Sequence, residues 1–178
     1  MKGLVFTEFM EMVEQKFGFV MADEIVQMVQ PASGGVYTGV GTYPSEELVA
    51  LVVALHKKTG IPVPDLIEAF GRHLFLYFLS TFSHFFETDK NTFSFLSKIE
   101  GYIHVEVKKL YPDAELPHIK AEIVDNQLIL LYKSNRRFSK LAEGLMKECA
   151  VYYKENIDIH AEYLKEDGSE VKFTLIKS

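Results

Sequence analysis

The stretch from Leu96 to Pro117, LSKIEGYIHVEVKKLYPDAELP, places one histidine in a helical pattern, and the rest of the chain is organised around it. Its apolar residues recur at intervals of three and four, which predicts a helix with one apolar face. These residues are Leu96, Ile99, Ile103, Val107 and Leu110. His104 lies at the edge of that face. Gly101 and Ser97 precede it by three and seven residues, so the helix surface beside the imidazole should be nearly bare of side chains.

Two interpretations of His104 follow from this pattern. A histidine at the edge of an apolar face is commonly a boundary residue of the core whose ring nitrogens are hydrogen-bonded. A histidine beside a bare helix surface can instead be an axial metal ligand that faces a cavity shaped for a planar macrocycle. His104 alone does not decide between these alternatives.

The composition predicts one domain without a membrane span. The 178 residues are 48% hydrophobic, and no segment reaches the roughly 18 consecutive apolar residues that span a bilayer. The N-terminal segment MKGLVFTEFMEMVEQ is acidic by position 8 and has no small-residue cleavage site, so we expect a cytoplasmic protein. A formal net charge of −6 argues against nucleic acid or an anionic membrane as the partner. The single cysteine, Cys149, excludes an internal disulfide and a CxxC metal site.

Helical spacing recurs on both sides of the central stretch. It predicts five further helices over residues 4–17, 21–29, 44–60, 65–82 and 138–153. Thr88 or Asp89 is expected to cap the helix that carries His104. Gly71 interrupts a helix that is apolar almost all round, which indicates the close approach of another backbone or of a ligand.

Alternating apolar and polar residues predict strands in the C-terminal part. A hairpin is expected over residues 119–131 with its turn at Asp125 and Asn126, and two further strands over residues 157–162 and 171–175. The predicted architecture is α+β: a helical N-terminal part, and a four-stranded antiparallel sheet with flanking helices, one of them inserted between its strands.

Three hydrogen-bond donors follow one another at the end of the predicted hairpin. In an extended chain Tyr132, Ser134 and Arg136 would project from the same face at intervals of about 7 Å. Two hydroxyl groups and a guanidinium on one face favour a bound anion, and the guanidinium matches the geometry of a carboxylate. The alternative is an ordinary solvated strand end.

Together these motifs resemble the haem-nitric oxide/oxygen binding (H-NOX) family, which is related to the sensor domain of soluble guanylate cyclase. The resemblance spans the whole chain. It includes the MKG start, the FGR of residues 70–72, the histidine in IHVEV, the LP of residues 116–117 and YKSNR, which matches the family motif YxSxR. A histidine followed 28 residues later by YxSxR is more specific than either motif alone.

The resemblance assigns roles to the matching residues. It implies that His104 is the proximal iron ligand, that Tyr132, Ser134 and Arg136 bind the propionates of haem b, and that Pro117 presses on the porphyrin. It also implies one haem-binding domain over residues 1–178, with a helical distal subdomain at 1–62 and a proximal subdomain at 63–178. The haem would be buried between the two.

The residues that match the distal side of the haem pocket in this family bear on which gas the protein binds. The resemblance implies that members which bind oxygen stably need a tyrosine, a tryptophan and an asparagine at three distal positions. At the matching positions this chain has Leu141, Phe9 and Leu74. No hydroxyl is then available to stabilise the partial negative charge on bound oxygen, whereas nitric oxide binds ferrous haem without that help. The resemblance therefore implies a sensor of nitric oxide that also binds carbon monoxide and discriminates against oxygen.

Four further residues bear on the distal pocket. Phe78 and Leu145 are expected to line it as well. His73 and His84 are expected to lie outside it, since His73 points about 100° away from Leu74 on the helix and His84 is in a loop.

The sequence-based hypothesis is a switch and not an enzyme. Nitric oxide would weaken the iron–histidine bond, and the helical part would then rotate against the sheet part. The resemblance implies a regulator that acts in trans on a separate protein. That partner would be a histidine kinase, or a diguanylate cyclase or phosphodiesterase. The alternatives are an oxygen-binding haem protein, a haem enzyme such as a peroxidase, or a module that binds another carboxylate ligand without haem.

Overall fold

The computed structural model describes residues 1–178 as seven α-helices and four β-strands. The helices are α1 (Gly3–Phe17), α2 (Phe19–Val29), α3 (Ser45–Thr59), α4 (Val63–Thr81), α5 (Thr92–Ser97), α6 (His104–Leu110) and α7 (Ser139–Tyr152). The strands are β1 (His118–Val124), β2 (Gln127–Lys133), β3 (Ile157–Tyr163) and β4 (Glu170–Lys177). A 3₁₀ turn at Ser83–Phe85 and a π-helical turn at Ile99–Ile103 complete the regular structure. None of the helices combines the length and the apolar character that crossing a membrane requires.

The boundaries of the first four helices follow from glycine and proline. Gly18 ends α1 with a φ of 88° and donates its N–H to the Glu14 carbonyl, and Gly60 ends α3 with a φ of 74°. Both backbones lie where residues with a Cβ rarely go. Helix α4 begins at Val63, two residues before the predicted start, because Pro62 precedes the helix and Pro64 fits its first turn.

The sheet is antiparallel with strand order β1-β2-β4-β3, and α7 connects β2 to β3. The hairpin between β1 and β2 turns at Asp125, which has a φ of 53°, and Asn126. One face of β2 and β4 packs against the helices. The buried residues on this face are Leu128, Leu130, Tyr132, Val171, Phe173 and Leu175. The predicted α+β architecture, with one helix inserted into a four-stranded antiparallel sheet, is confirmed.

Helices α4 and α7 touch at two glycines. A Cβ on Gly71 would overlap the carbonyl oxygen of Leu141, and a Cβ on Gly144 would overlap that of Glu68. The two Cα atoms are so close that a Cβ built on either glycine would lie 3.0 Å from the other's Cα. Gly71 therefore permits the close approach of another backbone, which is one of the two alternatives that its position in an apolar helix left open.

Helix α4 contributes to two separate hydrophobic clusters. The N-terminal core packs α1, α2 and α3 against the first half of α4, up to Leu74. The sheet core begins at Phe75 and packs the sheet against α5 and α7. The N-terminal core thus extends beyond residue 62, where the sequence suggested a subdomain boundary, and two adjacent residues of one helix face different cores.

The segment around His104 is not the single helix that the periodicity predicted. It consists of α5, the π-helical turn and α6, in which the Ile103 N–H reaches back to the Lys98 carbonyl at 3.2 Å. The predicted cap at Thr88 or Asp89 is wrong: the Asn91 side chain caps α5 by accepting from the Ser94 N–H. Asp89 instead binds the Lys98 ammonium, 2.7 Å away.

Candidate functional site

A cavity of about 300 Å³ lies between the helices and the C-terminal part of the chain. This volume is at the lower end of the roughly 300–1,000 Å³ of ligand pockets. One wall comes from α1, α4 and α7, another from residues 96–117, and the polar rim includes the end of β2. Of the 29 residues that line it, 23 are hydrophobic, so the cavity suits a largely apolar ligand.

His104 is one of the residues that line this cavity. Its ring nitrogen Nδ1 is 3.1 Å from the Glu100 Oε2 atom, and only 16% of the side chain is exposed. Because a carboxylate only accepts hydrogen bonds, Nδ1 carries the proton and Nε2 keeps its lone pair. Burial lowers the pKa of His104, and Glu100 opposes this in part. A neutral imidazole with a free Nε2 is the form that binds a metal ion.

The bare helix surface predicted beside His104 is not where the cavity is. Gly101 is exposed, and a Cβ added to it would meet nothing within 4 Å. Neither Gly101 nor Ser97 lines the cavity, which is bounded near His104 by Ile99, Ile103 and Val107. The π-helical turn causes this difference, because it adds a residue to the turn and shifts the side chains before His104 to another face.

The three predicted donors all reach the cavity. Tyr132 is buried at the end of β2, whereas Ser134 and Arg136 lie beyond the strand in a turn, so they do not alternate along an extended chain as expected. Burial raises the pKa of Tyr132, against the influence of Ser134 and of the Phe138 backbone. The Ser134 hydroxyl accepts from the Arg136 N–H at 3.2 Å.

The Arg136 guanidinium already holds a carboxylate of this chain. Its Nη2 donates to Glu115 Oε2 at 2.7 Å, and its Nη1 donates to the Glu115 carbonyl at 2.6 Å. The Glu115 side chain is 82% exposed, so a carboxylate on a ligand could exchange with it at little cost. Pro117 also lines the cavity, and its predicted contact with a porphyrin stays a prediction.

The wall formed by α1, α4 and α7 contains no polar side chain. It includes the four predicted residues Leu74, Phe78, Leu141 and Leu145, together with Leu4, Val5, Phe75 and Ala142. This wall therefore offers no hydrogen-bond donor to a ligand.

Phe9 does not line the cavity, contrary to expectation. It is fully buried in the N-terminal core, where its ring meets that of Phe70 edge to face at 5.3 Å between centroids. Val5, one turn earlier on α1, lines the cavity instead. His73 and His84 also lie outside: the Nε2 atom of His73 is 3.4 Å from Glu8 in the helical core, and His84 is exposed.

Sequence reasoning missed the start of the chain as part of the rim. Met1 and Lys2 line the cavity, and the Met1 amino group donates to the Tyr43 carbonyl at 2.7 Å. The Lys2 ammonium bonds to Asp113 at 3.0 Å and to Thr42 at 3.1 Å. No periodicity could have indicated these contacts, because both residues precede the first helix and their partners are distant in sequence.

The residues present fit a haem group. An apolar cavity takes a porphyrin, a histidine nitrogen is placed to ligate its iron, and a hydroxyl and guanidinium cluster at the rim takes its carboxylates. His104 would thus supply the metal ligand, and Tyr132, Ser134 and Arg136 would anchor the charged edge of the group.

Comparisons with known proteins agree with this assignment. A family model described as Haem-NO-binding matches residues 2–161. No curated protein matches the chain.

Solved structures also resemble the chain. An unliganded Fe(II) H-NOX protein from K. algicida is 39% identical with a TM-score of 0.95, and the match covers 100% of this chain and 97% of that one. An H-NOX protein from S. oneidensis in the Fe(II)NO state is 28% identical with a TM-score of 0.92, covering 100% and 99%. The IWP-051-bound H-NOX from Shewanella woodyi, in the Fe(II)CO state, is 38% identical with a TM-score of 0.85, covering 100% and 95%.

A match over nearly the whole chain, together with the cavity and its donors, identifies the family and the cofactor. The chain belongs to the Haem-NO-binding family of H-NOX gas-sensor domains, which bind haem.

Proposed function

We propose that this protein senses nitric oxide in the cytoplasm, that it also binds carbon monoxide, and that it discriminates against oxygen. The observation that carries the proposal is the apolar wall of α1, α4 and α7, which faces a cavity that His104 also lines. Solved relatives in nitric oxide and carbon monoxide states support the choice of gases.

When bound, haem would supply a ferrous iron that binds nitric oxide or carbon monoxide. His104 would ligate that iron through Nε2, since its Nδ1 is bonded to Glu100. Tyr132, Ser134 and Arg136 hold the carboxylates and so fix the orientation of the group. Leu74, Phe78 and Leu141 exclude water and provide no donor for bound oxygen, which needs one more than nitric oxide does.

The signal would leave the cavity through His104. His104 is the first residue of α6 and directly follows the π-helical turn. A change in its position would therefore move a segment in which no residue is buried. We include in the proposal a partner in trans, either a histidine kinase or a diguanylate cyclase or phosphodiesterase, on the strength of the family resemblance. Partner activity that is equal with and without nitric oxide would contradict this part.

Absorption spectra of the reduced, haem-loaded protein test the proposal. We expect a spectrum that nitric oxide and carbon monoxide shift and that air leaves unchanged until the iron oxidises. A stable oxygen complex would contradict the discrimination, and no haem band after reconstitution would contradict the whole proposal. We expect no peroxide turnover, because neither His73 nor His84 lines the cavity to act as an acid or base.

A matched pair of variants tests the apolar wall itself. Leu141→Tyr adds a hydroxyl to the wall, and Leu141→Phe adds an aromatic ring without one. If the missing donor excludes oxygen, only the tyrosine variant should form an oxygen complex that persists in air. Equal behaviour of the two variants would mean that another property of the cavity discriminates between the gases.

A further inference from the structure

The Glu100 carboxylate is a meeting point for three hydrogen-bond donors. Its Oε2 atom accepts from His104 Nδ1 at 3.1 Å and from the Ile119 backbone N–H at 3.0 Å, while Oε1 is 3.2 Å from His118 Nδ1. Burial alone would raise the pKa of Glu100, but these three donors lower it. Both oxygens of Glu100 therefore lie within hydrogen-bond distance of donors.

The position of these donors joins two parts of the molecule. Glu100 lies in the π-helical turn, four residues before His104. Ile119 belongs to β1, which is an edge strand and pairs only with β2. One carboxylate thus ties the turn that precedes His104 to the edge of the sheet.

We propose that Glu100 is the positioning residue for His104. It holds the imidazole in the tautomer that presents Nε2 to the cavity, and it links any movement of His104 to β1. This inference rests on the proposed function, because it assigns Glu100 a role toward a haem ligand.

The chemistry of the contact predicts its effect. A carboxylate that accepts the second ring proton of a metal-bound histidine orients the ring and raises its basicity, which strengthens the bond from Nε2 to the metal. Movement of His104 away from the metal would change the bond to Glu100. Because the same Oε2 atom also accepts from Ile119, that change would reach β1 directly.

Resonance Raman spectroscopy of the ferrous, haem-loaded protein measures the strength of the bond between iron and histidine. Glu100→Gln keeps the size of the side chain but removes its charge, and Glu100→Leu removes the acceptor as well. We expect the iron–histidine band to shift to lower frequency in both, with the larger shift in Glu100→Leu. Haem should also dissociate about 10- to 100-fold faster from Glu100→Leu, the range found when such partners are lost.

Glu106→Gln is the matched control, since Glu106 lies on α6 and pairs with Lys109 at 2.6 Å instead of with His104. Its iron–histidine band should stay at the wild-type position. Circular dichroism checks that each variant is folded.

Two outcomes would overturn the inference. A wild-type band position in folded, haem-loaded Glu100→Leu would show that Glu100 does not act on His104, although the proposed function would stand. Absence of haem from the wild-type protein would remove both the inference and the proposed function. The two failures are therefore distinguishable in one set of samples.

Discussion

The N-terminal core and the segment that carries His104 are held in opposite ways. Phe6, Phe9 and Val13 are 0% exposed, and α1 to α3 pack around them. In contrast, neither the π-helical turn nor α6 buries a single residue, and Val105 is 46% exposed. Fully buried apolar packing fixes the first region. The second is held by hydrogen bonds, ion pairs and only partly buried apolar contacts, such as those of Ile99 and Ile103 with the sheet core. The buried apolar packing is thus concentrated in one part of the molecule, and the segment through which we propose that the ligand signal leaves lies in another.

The largest effect that would sharpen this contrast is expected from Phe9→Ala. Removing a fully buried ring should lower the free energy of unfolding by about 3–5 kcal/mol. Val105→Ala, in α6, should change it by less than about 0.5 kcal/mol. Urea unfolding of the haem-loaded proteins measures both. Similar losses for the two variants would show that the regions do not differ as described.

Two glycines give a second comparison. Gly71→Ala places a Cβ onto the Leu141 carbonyl oxygen and should cost about 1–3 kcal/mol, because two helix backbones must separate. Gly101→Ala meets open space in the π-helical turn and should be neutral or stabilise by up to about 1 kcal/mol. Thermal unfolding measures both changes. Destabilisation by Gly101→Ala would mean that the turn is more tightly constrained than its exposure indicates.

The N-terminal core also contains one ionisable pair that should make its stability depend on pH. Burial raises the pKa of Glu8 from 4.5 to about 7, with a contribution from Glu11, and Glu8 lies beside His73. A raised pKa means that the folded state favours the protonated acid, so this stabilisation is complete below pH 4.5 and is lost as the pH rises through 7. As the pH rises through this range, the free energy of unfolding of Glu8→Gln should therefore increase relative to that of the wild type, by on the order of 1–2 kcal/mol.

Unfolding midpoints of Glu8→Gln and of the control Glu11→Gln, measured from pH 5 to pH 8, test this. Burial lowers the pKa of His73, so its own effect has the opposite sign and appears only as the pH falls. A constant difference between Glu8→Gln and the wild type at all pH values would contradict the assignment to Glu8.

The smallest effect concerns the polar contacts around the second region. The Lys2 ammonium pairs with Asp113, in the loop between α6 and β1, and the pair is partly exposed. Lys2→Met should slightly lower the unfolding midpoint at low salt. The difference should vanish near 1 M salt, where the screening length is about 3 Å. A difference that persists at high salt would mean that Lys2 contributes by packing over Tyr111 rather than by charge.

The sequence was informative where a feature depends on residues that are close together in the chain, as hydrophobic periodicity and short motifs do. Alternation predicted the hairpin and the sheet. The two motifs singled out in the sequence, His104 and YxSxR, line one cavity. Periodicity failed at the π-helical turn, because α-helical and π-helical spacing cannot be told apart in an apolar pattern. The π-helical turn accompanies the exposure of Gly101, whereas the contact of Glu100 with His104 keeps the i,i+4 spacing that an ordinary α-helix also gives.

Distant contacts were the other limit. The helical spacing of Phe9 fits a core residue and a pocket residue equally well. Which of the two it becomes depends on how α1 packs against α4, and here its ring contacts Phe70 in the N-terminal core. The pairing of Lys2 with Asp113 joins positions 111 residues apart, so it leaves no local signal. Such contacts depend on how the helices pack, and a single sequence does not specify that.

Helix α4 belongs to both hydrophobic clusters, with the boundary between Leu74 and Phe75. Neither cluster can lose its structure without unwinding part of a helix that the other one needs. Phe78 and Leu145 also pack against both cores. We therefore expect the two halves of the molecule to unfold as one cooperative unit. In native-state hydrogen exchange the amides on both sides of Leu74 should open with the same free energy as the whole protein, while those of α6 exchange earlier.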